Sequence, residues 1–208
     1  PLAESSGRSP EQLLDAYGPI EHEIEEVHPQ MRYSELLEKV HERLCDELGV
    51  DRDEAEAAAL GASVGNWPVF PDSPDSLSYL KDHFRLIILS NVDRRSFVGS
   101  NRRLGVEFDF IFTAEDIGSY KPSLRNFEYM IDRLGEAGIE KGAILHVAQS
   151  LFHDHAPANR VGIASAWIDR RHDKPGSGAT VFPDPVPHYD FRFTSMGELC
   201  AAHRAEQG

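Results

Sequence analysis

The stretch that most constrains this chain is Arg85–Asn91, reading RLIILSN. Four apolar residues, Leu86 to Leu89, stand together between polar flanks, and Ser90 and Asn91 follow at once. A continuous apolar run this short is the pattern of a strand buried on both faces, as in a parallel sheet covered by helices. In such sheets ligands bind just beyond the carboxyl ends of the strands, which places Ser90 and Asn91 at a site. A strand followed by a plain polar turn is the simpler reading of the same residues.

The flanking sequence divides in two. Residues 10–28 carry Leu13, Leu14, Tyr17, Ile20, Ile24 and Val27 at helical spacing, with Ser9-Pro10-Glu11-Gln12 as a capping box and proline at the first helical position. A second helix is predicted over 34–48, capped by Ser34 and stopped by Gly49; a third, Ala-rich, opens at Asp51 or Asp53 and runs to about Ala62. Gly65-Asn66-Trp67-Pro68 and Phe70-Pro71-Asp72-Ser73-Pro74 then punctuate heavily and mark a hinge. We therefore expect a helical subdomain over residues 1–69 and a second unit over 70–208.

Beyond the hinge, helices and strands alternate. Helices are predicted from Ser73 to about Asp82, near 94–103, from Pro122 onward and near 155–162. Strands are predicted at 85–89, 110–113, 143–147 and 164–168, with a final strand–helix pair from Phe191 to Ala202. That alternation implies an α/β fold with a parallel sheet and right-handed crossovers. Residues 172–190, rich in proline and glycine, read as a long mobile loop.

Charge follows the same division. Residues 1–69 hold 16 acidic and 5 basic residues, net −11, whereas the remainder is net −3. A polyanionic helical segment argues against nucleic acid or an acidic membrane as partner, and solvated helix faces account for it. No apolar run approaches the roughly 20 residues of a membrane span. Pro1-Leu2-Ala3-Glu4-Ser5 has no signal-peptide character, and two isolated thiols, Cys45 and Cys200, suit a reducing cytoplasm.

Two further stretches carry chemistry. Lys121 lies in Gly118-Ser119-Tyr120-Lys121-Pro122-Ser123, with Pro122 expected to open a helix. A cation there opposes the helix dipole, and an anionic partner would reconcile it. Leu145-His146-Val147-Ala148-Gln149-Ser150-Leu151-Phe152-His153-Asp154 is again a strand running into polar residues. Pro157 must lie in a first helical turn, so Asp154 reads most simply as a helix cap. His146, His153, Asp154 and His155 do not make a metal site by spacing: 153 and 155 are too close for ligands on one helix face, and His146 lies on a strand. No metal and no cofactor is expected.

Together LIILSN, YKPS and HVAQSLFHD, with the helices ahead of them, resemble the haloacid dehalogenase superfamily, in particular its type II 2-haloacid dehalogenase-like branch. The resemblance implies a Rossmann-like parallel sheet with helices on both faces and a helical cap. It makes Ser90, Lys121 and Asp154 the counterparts of the family's second, third and fourth motifs. The family's nucleophile is an Asp ending a first strand ahead of the cap. Residues 1–208 start within the cap, so the first strand and its Asp are expected to be absent and the chain inactive without them. Asp72 and Asp93 do not follow strands in the required way. Magnesium-dependent members have an acid where this chain has Gln149, which fits metal-free dehalogenation.

By the same resemblance, an Asp would displace halide from the α-carbon of a small 2-haloacid and form an ester that water hydrolyses. Lys121 would hold that Asp ionised, and Asp154 would orient Lys121 or activate water. Ser90 and Asn91 would bind the substrate carboxylate or the leaving halide. Gln149 and Ser150 join the substrate-binding set, with Asn66 and Trp67 lining the pocket from the hinge. Phe127 stands where the dehalogenases have a Tyr. The expected partners are a small anionic substrate and a second copy in a homodimer. The alternatives are a catalytically silent binding or regulatory protein, and a magnesium-dependent phosphatase, which Gln149 argues against.

Overall fold

The structure, a computed structural model, describes residues 2–174 and 178–208. A short helix not foreseen from the sequence, α1 (Leu2–Ser6), precedes α2 (Pro10–Val27). Helix α2 starts as its capping box dictates: Ser9 Oγ accepts from the Gln12 N–H at 3.3 Å, and the Gln12 carboxamide accepts from the Ser9 N–H at 3.0 Å. Helix α3 (Tyr33–Leu48) follows, then α4 (Glu54–Ser63), whose N-cap Asp53 accepts from the Ala55 and Glu56 N–H groups. Ser34 does not cap α3. Arg32 occupies that position, and the Ser34 N–H is donated instead to Asp93 Oδ2 at 3.2 Å, a tie to a segment 59 residues away.

The apolar stripes of α2 and α3 meet in a cluster built on Ile20, Ile24, Leu36, Leu37, Val40 and Leu44. Ala114 and Tyr120, from well beyond the hinge, complete it, so the cap helices are seated on the remainder of the protein by shared apolar burial.

The core follows in order: α5 (Ser73–Lys81), β1 (Ile87–Ser90), α6 (Arg94–Leu104), β2 (Phe110–Thr113), the single turn α7 (Ala114–Ile117) and α8 (Leu124–Glu136). Then come β3 (Leu145–Ala148), α9 (Ala156–Val161), β4 (Ala164–Ile168), β5 (Phe191–Phe193) and α10 (Met196–Gln207). Strand β1 pairs parallel with β2, placing Ser90 opposite Thr113. Strands β3, β4 and β5 form a second, all-parallel sheet in that order.

Both sheets contribute to the same two apolar layers. Ile88 and Val147 lie in one, with Leu80 of α5, Phe97 of α6 and Leu199 of α10. Ile87, Leu89 and Phe112 lie in the other, with Phe127 and Met130 of α8 and Ala158 of α9. This is the expected Rossmann-like α/β fold, helices covering both faces, with a helical cap. No helix among the described residues is long and apolar enough to cross a membrane.

Two local expectations are corrected. Strand β1 is only part-buried along its whole length, and Leu145, leading into β3, is 44 % exposed. The reason is pairing: β1 is bonded only to β2 and β3 only to β4, so each keeps a second edge without a strand partner among the described residues. Pro122 does not open α8; the helix begins at Leu124 with Ser123 as N-cap, because the backbone of Lys121 is held by Asn91 instead. Residues 172–174 and 178–190 form no helix or strand, as expected of the loop, and residues 175–177 lie outside the described residues.

Backbone groups along an apolar edge cost about 1–3 kcal/mol each when buried unmet, against a domain stability of about 5–15 kcal/mol. A polypeptide of residues 1–208 alone should therefore self-associate through these edges. A chain that brings a further strand to them should be better dispersed and unfold at higher denaturant. Sedimentation and urea unfolding of the two side by side check this; equal behaviour would mean that the edges close on one another.

Candidate active site

Three loops converge at the carboxyl ends of β1 and β3. They are Ser90–Asn91 at the end of β1, Ser119–Pro122 before α8, and Gln149–Asp154 after β3. At their meeting point Lys121 and Asp154 are both buried, and Lys121 Nζ donates to Asp154 Oδ1 at 2.6 Å and to the Leu89 carbonyl at 2.9 Å. His146 of β3 places Nε2 2.9 Å from the same Asp154 oxygen. Phe127, fully buried, packs edge-on against the His146 ring, with centroids 5.1 Å apart, and walls off this side.

Asp154 is brought there by an unusual turn. Ser150 accepts the His153 N–H at 3.0 Å and starts a π-helical turn, Leu151–His155, that joins directly onto α9. Asp154 is thus inside the turn and caps no helix, contrary to its simplest sequence reading. Burial by itself would raise its pKa. The Lys121 charge and the His146 hydrogen bond outweigh burial and hold the carboxyl far below the usual carboxylate range.

Asn91 is a clamp. Its Oδ1 accepts from the Lys121 N–H at 2.8 Å, while Nδ2 donates to the Lys121 carbonyl at 3.1 Å and to Glu25 Oε1 of α2 at 2.9 Å. The same side chain therefore fixes the lysine and ties it to the cap. Ser90 Oγ accepts from the Val92 N–H at 3.4 Å. A cavity of about 400 Å³ opens beside this group, lined by His22, Glu25 and Glu26 of the cap and by Tyr120, Lys121 and Arg160 of the core.

The structure thus brings Ser90, Asn91, Lys121, Ser150 and Asp154 into one neighbourhood. Gln149 borders a second cavity of about 220 Å³, and its backbone carbonyl accepts from Trp167 Nε1 at 2.9 Å. Asn66 and Trp67 line neither cavity. Asn66 Oδ1 accepts from Arg103 Nη2 at 3.2 Å, and Trp67 Nε1 donates to Ser63 Oγ at 2.9 Å.

Sequence reasoning missed His146 as a partner of Asp154, and it missed the cap's acids altogether. Glu21 accepts from the phenols of Tyr17 and Tyr33 at 2.7 and 2.6 Å, and burial raises its pKa. Glu25, one turn on, is pushed up to about 9 by burial and then by Glu21, with Asn91 and Lys121 opposing. Burial brings His153 down to about 4. The one available signal was the three-residue spacing of His22 and Glu25, which puts both on one helix face.

A capped, Rossmann-like α/β protein with a buried lysine–aspartate pair at the carboxyl edge of its strands is the class that this fold and geometry define. The chain belongs to the haloacid dehalogenase-like hydrolase family, whose model matches residues 1–154. No curated protein matches it in sequence. Among solved structures it is similar to the L-2-haloacid dehalogenase PA0810, with 20 % identity and a TM-score of 0.72 over 94 % of this chain and 82 % of that one. It is also similar to the L-2-haloacid dehalogenase from Xanthobacter autotrophicus, with 14 % identity and a TM-score of 0.69 over 94 % and 93 %. The HAD phosphatase from Thermococcus onnurineus shares 24 % identity, with a TM-score of 0.54 over 80 % and 72 %. At these identities the likeness concerns the fold.

Two outcomes follow from the geometry. Lys121→Met leaves Asp154 buried without its main counter-charge and should lower stability by about 3–5 kcal/mol in urea unfolding. The double change Lys121→Met with Asp154→Leu should recover part of that loss. For Glu25 the folded carboxyl titrates above its ordinary 4.5, at about 9. Its contribution to stability is therefore full below pH 4.5 and is lost as pH rises toward 9, by at most about 1.4 kcal/mol per pH unit. Glu25→Gln should flatten the stability profile between pH 5 and 9; an unchanged slope would refute the assignment.

Proposed function

We propose that this chain carries the lysine–aspartate centre of a hydrolase that displaces halide from the α-carbon of a small 2-haloacid. The observation that supports this reading is the buried Lys121 ammonium, held by Asp154 at 2.6 Å and by the Leu89 carbonyl at 2.9 Å. An ammonium has three N–H groups, and the described residues take two. The third is available to hold an attacking carboxylate ionised.

In this reading a carboxylate beside Lys121, between the ends of β1 and β3, attacks the substrate's α-carbon. The carbon–halogen bond breaks and halide leaves with its electron pair. Water then attacks the carboxyl carbon of the ester, releasing a 2-hydroxyacid, regenerating the carboxylate and giving one proton to solvent. By family resemblance that carboxylate ends a strand ahead of the cap. Ser90 offers a hydroxyl donor to the substrate carboxylate or the departing halide. Asn91, its amide committed to Lys121 and Glu25, is a positioning residue, and Asp154 orients the lysine.

The donors suit a lysine better than magnesium. Asp154 Oδ1 already accepts from Lys121 and sits within hydrogen-bonding distance of His146, and by family resemblance Gln149 stands where magnesium-dependent members have a hard anionic ligand. The dehalogenases named above support the reaction by analogy of fold.

The test uses the natural protein with whatever segment precedes Pro1, alongside a polypeptide of residues 1–208. The former should release chloride from 2-chloropropionate without added divalent metal, and Lys121→Ala should lower the rate by about 10²–10³-fold. Residues 1–208 alone should release none. Magnesium-dependent hydrolysis of p-nitrophenyl phosphate without chloride release would overturn the reading in favour of a phosphatase. Neither activity, in a protein that does bring a strand-end Asp, would overturn it in favour of a binding protein.

A further inference from the structure

We infer that His22, Glu25 and His153 form a site for a divalent first-row transition-metal ion of the zinc class, joining cap helix α2 to the core turn after β3. One ligand atom from each residue lies within 4.8 Å of the other two, and His153 Nε2 stands 3.8 Å from Glu25 Oε2. An ion with ligand distances of about 2.0–2.2 Å holds neighbouring ligands roughly 3.3 Å apart, so side-chain shifts of about 1 Å complete the geometry. This inference concerns residues outside the lysine–aspartate pair and does not rest on the dehalogenase reading.

The second observation is the state of those atoms. His22 Nδ1, Glu25 Oε2 and His153 Nε2 are buried and have no hydrogen-bond partner among the described residues. Glu25 is 3 % exposed, so its orphaned oxygen has no recourse to bulk water. Buried polar groups are normally paired, and three orphans on residues that bring a ligand atom each within 4.8 Å of the others make a donor set without its acceptor. All three are lone-pair donors once each imidazole presents the relevant nitrogen unprotonated.

The surroundings favour that arrangement. His153 Nδ1 is 3.3 Å from Ser150 Oγ, so an Nδ1–H donated to the hydroxyl leaves Nε2 bare and aimed at Glu25. His22 Nε2 lies 3.6 Å from Glu26 Oε1 on the exposed side of the ring, while Nδ1 is the buried nitrogen. An outer partner such as Ser150 is what fixes the tautomer of a ligating histidine. The Phe152 ring packs edge-on against His22 at 4.8 Å and against His153 at 5.0 Å, limiting both imidazoles. Of the cations that line the adjoining cavity, Lys121 and Arg160, Lys121 has its charge met by Asp154 at 2.6 Å.

Two imidazoles and one carboxylate are ligands for zinc or ferrous ions rather than for magnesium or calcium, which take oxygen. The cavity lined by His22 and Glu25 leaves room for a fourth, non-protein ligand. An ion here would staple the cap to the core beside Lys121. Sequence spacing could not reveal it, because two ligands lie on α2 and the third more than a hundred residues later.

The test is titration of chelator-treated natural protein with zinc and, separately, cobalt. We expect one ion per chain, visible d–d absorption with cobalt, and uptake lowered at least tenfold in His22→Ala and Glu25→Gln variants that retain the wild-type circular dichroism. Should a variant fail to fold, X-ray absorption of the zinc-loaded wild type decides: a nitrogen/oxygen shell with two imidazoles supports the site, and a sulfur shell overturns it. Absence of stoichiometric uptake, or uptake unchanged in both variants, also overturns it, leaving adventitious surface histidines or bridging water as the explanation.

Discussion

The structure depends on the buried pair of Lys121 and Asp154. Removing two charges from water costs several kcal/mol per ion, and their attraction offsets this only at close range with the remaining hydrogen-bonding capacity filled. Here the separation is 2.6 Å, and the extra partners come from two separate segments: the end of β1, through the Leu89 carbonyl and through Asn91, which grips the lysine backbone, and β3, through His146. Strands β1 and β3 belong to different hydrogen-bonded sheets. The ion pair is therefore what links their carboxyl ends, and the shared apolar layers keep the rest of their length in one core.

The cap is tied to this centre by polar contacts as well as by apolar burial. Asp93 caps α6 through the Ser96 N–H at 2.8 Å and takes the Ser34 N–H of α3 at 3.2 Å. Burial would raise the Asp93 carboxyl, but these bonds hold it below its ordinary value. Tyr120 Oη donates to the Met31 carbonyl at 2.5 Å, and Asn91 reaches Glu25. Each tie starts within a few residues of Lys121 or at the end of β1, so cap position and lysine position are coupled.

How much of this was legible follows from what periodicity can report. Phe110–Thr113 and Ala164–Ile168 are legible to the residue, because a short apolar run between polar flanks marks the extent of a strand. Lys121 stood out because a cation there broke a local rule, and Asp154 because a polar run follows a strand. The identity of partners was not legible. Asn91 looked like a substrate ligand, although its amide is spent on Lys121 and Glu25. His146 alternated like any strand residue, and Pro122 satisfied a helix-start rule that the Asn91 clamp overrides. Apolar pattern reports which way a residue faces; it is silent on which loop, thirty or sixty residues away, will face it.

The charge of the cavity ties these parts together. Lys121 and Asp154 cancel, so the pair alone does not favour an incoming anion; Arg160 of the core lines the same space, but the cap presents both Glu25 and Glu26 to it. Two carboxylates there would repel the anionic substrate proposed above. Burial and the neighbouring Glu21 push Glu25 up to about 9, so near neutral pH it carries a proton and no charge. A divalent cation on His22, Glu25 and His153 would displace that proton and neutralise the carboxylate in another way. Proton and cation thus serve the same electrostatic end at the cap. The state that excludes an anion is the one with Glu25 bare, which burial in this position disfavours relative to the protonated form.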